Sequence, residues 1–207
     1  PLEKATQLNP EHEDSFFFLG LARKETNDTQ GAIKAFKKVT RINDKHAKAH
    51  HNLGRIYSIY IGDSPKAIHH YERAIEIDDE FFEAFFDLGS HYFSILDHPK
   101  AVKNYKKARE LEPENKWLHF NLGHVYQNMD EQEKMVNCFE KAIEIDNFFI
   151  EARFELGMFY AKNSKESLKR AKDSLKPLKK IKNSRQAASF ADELEYLIKS
   201  RDCKKSV

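Results

Sequence analysis

With 207 residues, 40% hydrophobic and 33% charged, the chain can bury a sizeable core. Its longest apolar runs, such as Phe16 to Phe18 and Phe148 to Ile150, fall far short of the roughly 18 residues a membrane-spanning helix needs. Two cysteines, Cys138 and Cys203, have neither a disulfide framework nor metal-ligand spacing, so a reducing compartment is allowed and a cytoplasmic location is expected. The net charge of +2 hides segregation: residues 162–185 hold ten Lys or Arg against two acids, 186–207 balance, and 1–161 stand at about −6.

In chain order, the opening stretch LEKATQLNP reads as the end of a helix stopped at Asn9-Pro10. A chain that begins with Pro and not Met then suggests a fragment or processed product of a longer array, with residues 1–12 the remnant of an upstream unit. Five units follow, at 13–46, 47–81, 82–115, 116–149 and an irregular 150–183. Leu-Gly pairs end at Gly20, Gly54, Gly89, Gly123 and Gly157, spaced by 34, 35, 34 and 34 residues. The octet HHNLGRIY at 50–57 returns as HFNLGHVY at 119–126. After each glycine come a small residue (Ala32, Ala67, Ala101, Met135 or Ala171), a larger one (Phe36, Tyr71, Tyr105, Phe139 or Leu175) and a third (Val39, Ala74, Ala108, Ala142 or Leu178). Each unit therefore reads as two amphipathic helices. Turn residues fall between them at Asn27-Asp28, Gly62-Asp63-Ser64-Pro65, Asp97-His98-Pro99 and Asp130. A glycine inside a helix costs about 1 kcal/mol relative to alanine, so five in one register predict five close helix crossings that repay it. The second unit has one extra residue near Gly62, and the last has about two extra plus Pro177. Asn183-Ser184 then predicts a cap for a terminal helix within 184–207, whose stripe Ala187, Phe190, Ala191, Leu194, Leu197 and Ile198 suits a lid on the open edge of a solenoid.

This joint register of glycine, tyrosine, alanine, aromatic, alanine and proline, as in FFDLGSHYFSILDHPKAVKNYKKARELEPEN, resembles the tetratricopeptide repeat (TPR) over nearly the whole chain. Arg23 in place of tyrosine and Met135 in place of alanine are departures. The resemblance implies an all-α, right-handed superhelical solenoid of antiparallel helix pairs with a C-terminal capping helix. No nucleophile elbow or phosphate loop is present. His46 and His50 stand four apart, but no carboxylate or cysteine completes a ligand set. No catalytic residue, metal or cofactor is expected.

In the resembled family the concave groove is lined mainly by positions 2, 5, 9, 12 and 13 of each first helix. Carried onto this sequence, that register collects Phe17 and Leu21, then Lys48, His51 and Arg55, then Phe86 and Phe93, then Trp117, Phe120 and His124, then Phe154 and Met158. The Lys and Asn set with which chaperone-binding members grip a C-terminal carboxylate is absent. Asn52 and Asn121 resemble part of the asparagine ladder by which some members hold a peptide backbone, broken here by Phe18, Asp87 and Glu155. The expectation is a non-catalytic scaffold binding a peptide or helix of a partner protein along one aromatic wall. Two alternatives stay open: a self-assembly or regulatory module of a larger, catalytic protein, and aromatics that serve packing between repeats. Binding of nucleic acid or an anionic membrane through residues 162–185 is the less favoured reading, since a Lys-rich helix face is usually a solvated one.

Overall fold

Helix pairs account for nearly all of the computed structural model, which describes residues 2–163, 167–181 and 184–203. Among the described residues there are twelve α-helices and no strand. The chain divides into two compact units, Pro1–Glu112 and Pro113–Val207. The first holds α1 (Leu2–Leu8), α2 (Glu13–Glu25), α3 (Thr29–Ile42), α4 (Ala47–Ile56), α5 (Ser64–Ile77), α6 (Phe82–Ser94) and α7 (His98–Leu111). The second holds α8 (Lys116–Asn128), α9 (Gln132–Ile145), α10 (Ile150–Lys162), α11 (Ser167–Lys180) and α12 (Arg185–Cys203). The family-level expectation of an all-helical repeat solenoid is met.

Local chemistry starts and stops these helices. Asp28, Asp63 and Asp97 each accept the backbone N–H three residues on, at the starts of α3, α5 and α7. Pro65 and Pro99 fall in first turns, where a missing N–H costs nothing. Ser184 Oγ accepts the Ala187 N–H at 3.1 Å and so caps α12; its expected companion Asn183 lies outside the described residues. Pro177 sits inside α11. The extra residue of the second repeat is absorbed as a π turn, Tyr57–Ile61, that continues α4 and ends at Gly62 with φ 76°.

The glycines are where the helices cross. A Cβ added at Gly20 would lie 2.7 Å from the Phe36 ring, at Gly54 2.7 Å from Tyr71, at Gly89 2.9 Å from Tyr105, and at Gly123 2.6 Å from Phe139. Those four rings are essentially fully buried, so ring-on-glycine burial is what offsets the helix-propensity cost. The fifth pair departs from the sequence expectation. Gly157 faces Leu194 of α12 at 2.6 Å and Ser174 at 3.3 Å, while Leu175 is only half-buried. The longer fifth unit rotates Leu175 off the crossing, and a side chain from the terminal helix fills the place of the ring.

Candidate partner-binding surface

In the first unit three polar members of the expected groove, His51, Asn52 and Arg55, are already bound within the protein. His51 is buried, its Nε2 2.8 Å from Asp87 Oδ2, and Arg55 Nε lies 3.4 Å from the same oxygen. Asn52 is buried too: its Oδ1 accepts from Lys24 Nζ at 3.1 Å, and its Nδ2 donates to the Lys48 carbonyl at 2.8 Å. Its amide is therefore committed on both sides to protein partners. Burial, and then the nearby charge of Arg55, push the Lys24 ammonium below its usual value. Lys24 was absent from the residues collected by register; only its reach across to Asn52, 28 residues on, brings it in. Lys48 is exposed, Leu21 half-buried.

The aromatic members share a second pattern, visible only in three dimensions. In three repeats the fifth residue of the first helix wedges against the residue capping the next first helix. Phe17 lies 4.7 Å from the ring of His46, which caps α4, and His51 lies 4.9 Å from Phe81, which precedes α6. Phe86 packs on Phe82 and Tyr105 at 5.6 and 5.7 Å, and Phe93 on His98 at 5.7 Å. Each of these phenylalanines is half-buried.

In the second unit Phe120 makes the same wedge, 5.1 Å from Phe149 at the head of α10, and also meets Phe139 at 5.7 Å. His124 stands edge-on to Phe120 at 4.5 Å and bonds Gln127 at 3.1 Å. Trp117 leans edge-on against Phe149 at 4.7 Å yet remains 47% exposed. Lys116 lies over Phe149, tied to Asp146. Asn121 and Met158 are half-buried. Phe154 stacks face to face on Phe190 of α12 at 4.1 Å, so the terminal helix covers part of this expected groove residue. Phe149, the hub of the cluster, was noted from sequence only within the short apolar run Phe148 to Ile150.

The histidines are occupied by packing. His46 Nδ1 accepts the Ala49 N–H at 3.1 Å, His50 meets His70, and His119 Nε2 bonds the Pro113 carbonyl at 2.8 Å. Among the described residues no group of three or more His, Cys, Asp or Glu side chains is placed to hold a metal ion. No helix among them is long and apolar enough to cross a membrane.

This architecture of glycine-crossed helix pairs has recognised counterparts. The tetratricopeptide-repeat family model matches residues 13–46, 47–81 and 118–149, and a second TPR model matches 97–130. The chain belongs to the tetratricopeptide-repeat family. No curated protein matches it. Among solved structures, MamA is similar at 27% identity and TM-score 0.70, over 90% of this chain and 93% of that one. YrrB, described as a TPR protein with an unusual peptide-binding site, is similar at 20% identity and TM-score 0.72, over 93% and 97%. PilF of Pseudomonas aeruginosa is similar at 19% identity and TM-score 0.73, over 94% and 87%. At such identities YrrB and PilF speak for the fold alone.

Proposed function

We propose that the chain is a non-catalytic protein-interaction scaffold that holds a peptide or helix of a partner on the concave faces of its repeats. Membership of the repeat family supports the scaffold reading. The observation that carries the finer reading is the Trp117 ring, 47% exposed although an apolar cluster of Phe120, Phe139 and Phe149 lies directly beside it. Leaving half an indole in water beside an apolar bed forgoes burial that a partner's side chain would restore. Tryptophan is also the residue type most enriched among dominant interface contacts. Phe120 and His124 extend this surface, and Asn121 supplies a polar group beside it for a ligand backbone. In the first unit Phe86, Phe93, Phe17 and Leu21 are the apolar members of the same proposal and Lys48 and Arg55 the polar ones, with His51 and Asn52, already hydrogen-bonded within the protein, beside them. In the fifth repeat Phe154 and Met158 contribute what α12 leaves uncovered.

The test is a peptide-display selection against the full chain, followed by calorimetric affinities of the selected sequences. Replacing Trp117 and Phe120 together by Ala is expected to weaken binding by at least about tenfold, while Lys106→Ala on an exposed α7 position leaves it unchanged. Equal affinity for the folded double variant and wild type would show that these aromatics serve packing only.

A further inference from the structure

The second repeat is one residue longer than its neighbours, and that residue reshapes a surface. Its π turn, closed by Gly62, leaves Ile59 62% and Tyr60 53% exposed, with Ile61 beside them. The corresponding turn of the next repeat exposes Ile95 and Leu96. Leu96 has φ 63° and is 72% exposed. Asn27 and Asp130, with φ 59° and 57°, hold the same left-handed position in other repeats. Asn, Asp and Gly tolerate that conformation at less cost than leucine, so neither backbone preference nor solvation explains leucine there. The two apolar turns are joined: Ser58 Oγ and His91 Nδ1 share a 2.8 Å hydrogen bond, and the His91 carbonyl accepts the Ile95 N–H at 3.2 Å.

Tyr60 also borders a cleft of about 270 Å³ lined by Lys24, Glu25, Asn27 and Arg55. Both cations are held in place, Lys24 by Asn52 and Arg55 by Asp87. Glu25 is the one acid of the lining and Asp87 pairs with Arg55 beside it; an incoming anion would find N–H donors already held in place. The cleft is of a size for a single carboxylate and its stem, and it opens beside the apolar turns. The geometry points to a docking site on the first unit for a partner peptide that places an acidic side chain between Lys24 and Arg55 and the apolar side chains following it on Tyr60, Ile59, Ile61, Ile95 and Leu96. This site belongs to the scaffold reading but does not use the Trp117 surface.

Fluorescence anisotropy of the full chain with a fluorescein-labelled Glu-Glu-Leu-Ile-Leu peptide tests it. Binding is expected, with a Lys-Lys-Leu-Ile-Leu counterpart, Lys24→Met and Leu96→Asn each weaker by about tenfold. Leu96→Asn removes an exposed side chain and eases the backbone, so it is expected to melt no lower than wild type; Lys24→Met keeps the aliphatic stem but takes the donor from buried Asn52 Oδ1, so it is expected to stay folded at 25 °C with a modestly lower melting temperature. Trp117→Ala should leave this binding unchanged, which separates the site from the second unit's surface. Absence of binding by the acidic peptide, equal binding of its lysine counterpart, or equal binding by both variants would overturn the proposal. So would binding of phosphatidylserine vesicles, lost in Leu96→Asn, without binding of the peptide, because the turns would then be a membrane contact.

Discussion

His50 and His70 meet through their Nδ1 atoms at 3.1 Å, so one ring must donate and the other accept. Two imidazolium rings cannot make that bond. Burial, followed by the charges of His50, His69 and Lys37, brings His70 down to about 4. Burial and then Arg73 lower His50, against a smaller opposing effect of Asp44. Tyr57 stacks flat on His70 at 5.6 Å, completing an enclosure that suits a neutral ring. In the unfolded chain a histidine takes up its proton near pH 6.5, about the ordinary value, whereas the folded chain resists protonation until near 4. The unfolded state thus binds more protons between those values, and stability falls as pH drops from about 6.5 toward 4. Melting temperatures across that range should decline, and His70→Gln should flatten the decline; an unaltered slope would place the acid sensitivity elsewhere. The octet's first histidine was legible as standing four residues from His46 without a metal-ligand set. Its partner 20 residues away was not, because pairing between α4 and α5 depends on how far each helix is rotated.

At the scale of elements, α12 completes the fifth repeat as well as covering it. Leu194 is fully buried and takes the place against Gly157 that a ring fills in the other four repeats, while Phe190 stacks on Phe154. Lys179 pairs across with Glu195, which Lys179 and Lys199 together hold down to about 2. Removing the Leu194 side chain would leave a cavity at a helix crossing. Leu194→Ala is therefore expected to cost about 2–5 kcal/mol. Trp117 is the sole tryptophan and lies in the same unit, so a lower urea midpoint by its fluorescence is the readout, and an unchanged midpoint would contradict this packing. The apolar stripe of α12 was legible at helical spacing. That it substitutes for an internal aromatic was not, since nothing within the fifth unit's own period signals the missing ring.

Across the whole molecule, the charge imbalance is concentrated in residues 162–185, of which 164–166 and 182–183 lie outside the described residues. Several of these cations have neighbours: Lys176 bonds Asp173 at 2.8 Å, Lys179 joins α11 to α12 through Glu195, and Arg170 lies against Tyr160. The charge thus serves helix ends and helix contacts, where opposite charges a turn apart give modest support. Reversing Lys172, Lys176 and Lys180 to Glu, with Lys179 kept for its contact with α12, should leave affinity for selected peptides unchanged at low and moderate salt. A loss confined to low salt would assign the segment an electrostatic role in binding.

The sequence by itself determined the period, the helix pairs, the turns between them and the identity of the first four crossings. Those follow from spacing and from residue size: a glycine in a helix and a ring sixteen or seventeen residues later leave little choice of partner. Only the tertiary structure decided which face of each groove residue remains available. Phe17, His51 and Phe120 wedge against the cap of the following repeat, Phe154 stacks on the terminal helix, and Asn52 is held by Lys24. Each of these contacts joins side chains about one repeat apart through their rotamers and the rotation between neighbouring helices. A periodic pattern names the position that points toward the groove, but the neighbour that covers it is set by packing.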